Sequence, residues 1–232
     1  MSADRASHWG RPATRAFTRT DLLVALASAA LLTAVVVVPV TRARRHARLL
    51  QCTSNLQQVN RAVLSFATDH AQTLPGPQPG DPGELQWWYK EQVKGYAGLR
   101  GPSSTNDTVF ACPDDRGYSD PIPFHRSARF DFGSYNFNGI LVPAAPNIAG
   151  WPLGDIVEPK RTLLTMEWTA HGPLSWHRSR TGRRNAPFYR DAESVVGFAD
   201  GHVSFIPIYY DGHTAAYLRD PIPGYDYRYS GH

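Results

Sequence analysis

The sequence predicts an α+β protein: one long N-terminal apolar helix packed on a small, mainly antiparallel sheet with long loops. Three features carry that expectation. Residues 22–40 form an uncharged apolar run, residues 49–66 carry an apolar stripe at helical spacing, and the Asp200-Gly201 region reads as a β-hairpin.

The run LLVALASAALLTAVVVVPV (22–40) is long enough to cross a bilayer as a helix of about 20 residues. Asp21 and Arg42 give it sharp edges, and only Ser28 and Thr33 interrupt the apolar surface, so the polar stripe of a soluble helix is missing. An ordinary secretory signal fits poorly. The apolar part is too long, the following TRARR (41–45) is a poor small-x-small cleavage site, and Cys52 lies too far downstream for a lipid-modified cysteine.

Charge distribution supports a membrane flank. Residues 1–48 hold eight arginines (5, 11, 15, 19, 42, 44, 45, 48) against Asp4 and Asp21, a local balance of +6. The whole chain carries +4, which leaves −2 on residues 49–232. An acidic body with basic charge beside an apolar run does not make a groove for phosphates, so nucleic acid is not an expected partner. Three arginines precede residue 16 and four follow the run closely, so charge alone does not set the orientation.

Beyond the run, Leu49, Cys52, Leu56, Val59, Val63 and Phe66 recur three and four residues apart. They form one stripe on a continuing helix, with Gln51, Asn55, Gln57, Asn60 and Arg61 mostly outside it. A helix over 18–67 would be roughly 75 Å long, with Pro39 expected to kink or locally melt it. Residues 71–86 are rich in Pro and Gly and read as an exposed connection. A short aromatic-rich helix is expected around 85–95, and strands at 109–113, 133–139 and 161–168. Residues 194–199, the Asp200-Gly201 turn and residues 202–206 give a hairpin.

The two cysteines, Cys52 and Cys112, lie in no CxxC or CxxH pair, so the spacing does not predict structural zinc. A disulfide closing a loop of about 60 residues and a pair of buried thiols are both open readings.

The segment AFTRTDLLV (16–24) resembles the N-terminal cleavage and methylation motif of type IV prepilins and type II secretion pseudopilins. The resemblance implies a basic leader at 1–16, cleavage between Ala16 and Phe17 by a prepilin peptidase that also methylates the new N-terminus, and an assembly carboxylate at Asp21. Ala16 stands where that family has glycine, and Asp21 where it has glutamate. A transmembrane and assembly helix at 17–40, an amphipathic continuation at 41–70 and a body at 71–232 follow. So do a bacterial inner-membrane location, a single pass with the body extracytoplasmic, and sister subunits as partners. A carboxylate at a membrane edge is costly unless paired, and a neighbour's α-amino group at Phe17 would supply the pair. The bland reading of Asp21 is an exposed helix cap.

The body resembles prepilin-like proteins with a C-terminal H-X9-DG signature. The resemblance rests on QCTSNL (51–56), Cys112-Pro113, Ser134-Tyr135-Asn136, PKRT (159–162) and FADGHV (198–203). Asp200 and Gly201 match the signature, whereas Arg190 occupies the histidine position.

Chemical candidates are sparse. His171, His177, His202 and His213 with Glu167, Asp191 and Asp200 show no metalloprotease-like spacing, and Ser175-Trp176-His177 lacks a nucleophile-elbow context. No catalytic residue and no resident cofactor are expected. A calcium site in the external loops is the one metal that the acidic residues suit. The expected function is a structural, non-enzymatic pilin-like subunit. The alternatives are a single-span envelope protein whose body binds a ligand or glycan, and a membrane-anchored hydrolase.

Overall fold

The computed structural model describes residues 17–79, 88–104, 106–115, 133–171, 175–177, 192–209 and 216–232. Ala16 and the rest of the leader, Arg190, Asp191 and His213 lie outside the described residues. The chain divides into two compact units, Met1–Arg44 and Arg45–His232, and helix α1 (Arg19–Asp69) contributes to both.

In the first unit α1 opens with a reciprocal cap. Thr18 Oγ1 accepts the Asp21 N–H at 3.1 Å, while Asp21 Oδ2 accepts the Thr18 N–H at 3.0 Å and its hydroxyl at 2.7 Å. Every residue from 17 to 44 is exposed, including Leu22, Leu23, Leu31, Leu32 and Val35. The two polar side chains within the run turn back on their own helix. Ser28 donates to the Val24 carbonyl and Thr33 to the Ala29 carbonyl. Of the kink or local melting expected at Pro39, the melting does not occur: the helix is continuous through it. Proline removes only its own N–H, the partner of the Val35 carbonyl, and the flanking turns stay bonded.

In the second unit the remaining turns of α1 bury Cys52, Asn55, Leu56, Val59, Asn60, Ala62, Val63 and Ala67. The apolar stripe is therefore correct, but Asn55 and Asn60 lie on the buried face rather than outside it. Asn55 Nδ2 donates to the carbonyls of Ala111 and Thr108. Asn60 Nδ2 donates to the Phe198 carbonyl at 3.1 Å, and its Oδ1 accepts the Thr165 hydroxyl at 2.7 Å. Buried amides persist only when bonded, and here those bonds fix the helix against the sheet.

The sheet is an antiparallel meander of β1 (Tyr135–Phe137), β2 (Leu163–Glu167), β3 (Glu193–Phe198) and β4 (Val203–Pro207), in that spatial order. Alternation along β2 and β3 splits their side chains between two cores. Val195 joins Cys52, Leu56, Val59, Val63, Tyr135 and Phe137 on the helix side. Leu163, Met166, Val196 and Phe198 join Ile208, Ile222, Tyr227 and Tyr229 on the other. A register shift between Leu163 and Thr165 breaks the alternation and lets Leu164 join the helix-side core. Both faces are thus covered, one by α1 and one by C-terminal aromatics, which explains why β2 is buried throughout.

The Asp200-Gly201 turn closes β3 to β4 through residues 199–202. Gly201 adopts φ 98° and donates to the Phe198 carbonyl, and Phe198 donates to the His202 carbonyl. The loop docks on the 159–162 segment: Ala199 donates to the Thr162 carbonyl and Asp200 to that of Pro159.

The strand expected at 109–113 is a 3₁₀ turn over Thr108–Phe110 followed by extended Ala111. Asn55 occupies the carbonyls that a neighbouring strand would have bonded. Next to it, Lys90 of helix α2 (Tyr89–Val93) forms a buried ion pair with Asp107 at 2.9 Å, which holds the turn against the core. The connection after α1 is less exposed than its composition suggests. Leu74 and Pro75 are buried, and Leu74 donates to the Trp151 carbonyl.

Gly197 shows how tightly helix and sheet meet. A Cβ there would lie 2.6 Å from Asn60 Oδ1 and 2.9 Å from Thr165 Oγ1, both already committed to each other. Gly197→Ala is expected to cost about 1–3 kcal/mol, read as a lower urea midpoint of the detergent-solubilised chain.

Candidate functional site

Two places concentrate chemistry: the N-terminal edge of α1, and a buried ionic cluster in the second unit. At the first, Phe17 is exposed and Asp21 spends Oδ2 on the Thr18 cap. Asp21 is itself exposed. Ala16, the residue before the expected cleavage point, lies outside the described residues.

The second place is built on His177. Its Nδ1 lies 3.2 Å from Asp114 Oδ2 and its Nε2 lies 2.7 Å from Glu167 Oε1. Carboxylates accept only, so both ring nitrogens carry protons and the ring is an imidazolium. Burial alone would lower its pKa. The Glu167 charge and the hydrogen bonds to Asp114 and Glu167 overcome that and hold it at about 10. Asp114 also meets Arg48 Nη1 at 3.3 Å. Burial would raise the Asp114 pKa, but His177 and Arg48 together pull it below the ordinary value. Arg48, Asp114, His177 and Glu167 therefore alternate in sign and cancel, the condition under which charges survive in a core.

Each member is placed by a different element. Glu167 ends β2, is fully buried, and its Oε2 accepts the Val195 N–H of β3 at 2.8 Å. Asp114 follows the 108–110 turn. His177 is held by Ser175, whose hydroxyl donates to the Glu193 carbonyl at 2.5 Å and accepts the His177 N–H at 3.1 Å. Beside them Cys52 of α1 and Cys112 are joined by a disulfide with Cα atoms 4.8 Å apart, and Cys112 Sγ lies 3.7 Å from His177 Nε2. Tyr135 donates to the Cys52 carbonyl at 3.1 Å, and Ser134 to Asp115 at 2.7 Å. The QCTSNL, Cys-Pro and Ser-Tyr-Asn segments thus meet at one point.

No family model, curated protein or solved structure matches this chain.

Other candidates separate from this cluster. Asp200 and His202 pair with each other across the hairpin loop, with His202 Nδ1 2.5 Å from Asp200 Oδ1 and its ring stacked on Phe198. Gly201 serves the turn, and Arg190 lies outside the described residues. His171 is buried apart from them. Its Nδ1 faces the Asn136 amide at 2.9 Å, and burial lowers its pKa to about 3, so it stays neutral. Among the described residues, the donor group that closes on one point is Cys52, Cys112, Glu167 and His177. Its sulfur and nitrogen atoms suit a zinc-like cation rather than calcium, which takes oxygen ligands. The spacing of these four residues in the chain shows no metal motif; the fold alone assembles them.

Proposed function

We propose that this chain is a membrane-anchored, pilin-like structural subunit that assembles through its N-terminal helix. One observation carries the reading: the long apolar stretch of α1 in the first unit is wholly exposed, whereas the same helix in the second unit buries its apolar residues in a core. Apolar surface of that extent requires lipid or neighbouring helices. A bilayer stores such a helix, and a bundle of sister helices covers it after extraction. The resemblance of residues 16–24 to the prepilin motif supports the second environment as well as the first.

The Cys52–Cys112 disulfide supports an extracytoplasmic body, because such bonds persist in oxidising compartments. The rigid cluster of Asp114, His177 and Glu167 is buried among structural bonds and fits a scaffold better than a catalyst.

Asp21 would set the axial register, its carboxylate receiving the α-amino group of a neighbour cleaved before Phe17. The Thr18 cap favours a second reading, a single-span envelope protein in which Asp21 merely starts the helix. Asp21→Ala separates them. In the assembling subunit it leaves membrane insertion intact and abolishes crosslinking between copies in native membranes. Crosslinking at the wild-type level in that variant would remove the register role.

A further inference from the structure

We propose that the dithiol form of this protein binds one zinc-like divalent cation through Cys52 Sγ, Cys112 Sγ, Glu167 Oε1 and His177 Nε2. The four donor atoms lie within 4.8 Å of one another. A tetrahedral zinc with two thiolates, one imidazole and one carboxylate has ligand–ligand edges of roughly 3.2–3.8 Å. The 3.7 Å between Cys112 Sγ and His177 Nε2 already matches such an edge, and the 2.7 Å between His177 Nε2 and Glu167 Oε1 lengthens once a cation replaces the shared proton.

The His177 nitrogen that faces the sulfur and Glu167 is the one left for the metal, while Nδ1 is held by Asp114. That carboxylate–histidine arrangement fixes ring orientation and strengthens an imidazole ligand. Glu167 is oriented in turn through its other oxygen by the Val195 N–H. Arg48 at Asp114 completes an outer layer that the metal leaves untouched. In the disulfide form the imidazolium proton takes the cation's place between the same groups.

The chemistry balances with a dithiol reductant. Its two thiols lose two electrons and two protons and become a disulfide, while the Cys52–Cys112 bond breaks to give two thiols. Metal binding then releases both thiol protons and the proton on His177 Nε2, leaving a four-coordinate site. The inference is independent of how the N-terminal helix assembles.

The test uses the full-length chain in detergent, reduced with a dithiol and desalted without oxygen. Titration with cobalt(II) is expected to saturate at one equivalent, with a thiolate-to-cobalt charge-transfer band and the intense visible bands of tetrahedral cobalt. The disulfide form gives neither. Asp114→Asn leaves all four ligands in place and is expected to weaken zinc binding by about 10–100-fold in competition with a chromogenic chelator. Absence of the charge-transfer band in the reduced chain, folded or not, would overturn the proposal. So would an unaltered band and affinity in both Glu167→Gln and His177→Gln, which would leave the cation on the thiolates alone.

Discussion

Glu167→Ala is expected to lower the unfolding free energy by about 3–5 kcal/mol, the cost of leaving one partner of a buried ion pair behind. The magnitude follows from what the carboxylate holds. It is fully buried, it balances the imidazolium of His177 at 2.7 Å, and it accepts the Val195 N–H of the neighbouring strand. Alanine removes the charge and orphans two donors at once. Urea unfolding of the detergent-solubilised chain, followed by near-ultraviolet circular dichroism, reads the loss; a change within a few tenths of a kcal/mol would contradict the ionic cluster.

The same cluster fixes a direction for pH in the disulfide-bonded chain. His177 has a folded pKa of about 10 against an ordinary 6.5, so its contribution is whole below 6.5 and is lost as pH rises through about 10. Asp114 acts oppositely. Its lowered pKa contributes above the ordinary 3.8 and is lost as pH falls through the folded value. Arg48 faces Asp114 from α1, and Glu167 faces His177 from the sheet. The urea midpoint is therefore expected to fall from pH 6.5 towards 10, with the slope much reduced in His177→Gln.

Removing the disulfide gives the second large effect. Cys52 and Cys112 are 60 residues apart in sequence, and closing a loop of that length restricts the unfolded chain by about 4 kcal/mol. The bond also ties α1 to the 108–112 segment, already held by Asn55 and by the Lys90–Asp107 pair. The Cys52→Ala, Cys112→Ala double variant is expected to lose most of that stability under oxidising conditions and to become insensitive to reductant. Equal urea midpoints for the variant and the oxidised wild type would rule out the cross-link.

The elements legible in the sequence were those whose signal is local. The uncharged 22–40 run, the stripe through Leu56 and Val63, the 163–167 strand and the Asp200-Gly201 hairpin each follow from period or turn chemistry within a dozen residues. Features that depend on distant partners were not legible. Asn55 and Asn60 look like surface residues until the carbonyls of Ala111 and Phe198 are brought to them. Residues 109–110 have strand-like composition, yet they lie in a 3₁₀ turn whose flanking carbonyls, those of Thr108 and Ala111, accept from the Asn55 side chain. Nor does any spacing announce His177, whose partners Glu167, Asp114 and Cys112 arrive from β2 and from the segment after the 108–110 turn. Nothing local to residues 227–229 shows that Tyr227 and Tyr229 close the second face of the sheet.

Under the proposed function, the exposed apolar helix beginning near Phe17 is an assembly element released by processing. Intact-mass measurement of the protein extracted from native membranes tests it most directly. The expected mass is that of a chain beginning at Phe17 and bearing one methyl group on its α-amino nitrogen. A mass that begins at Met1, with no shorter species, would contradict it.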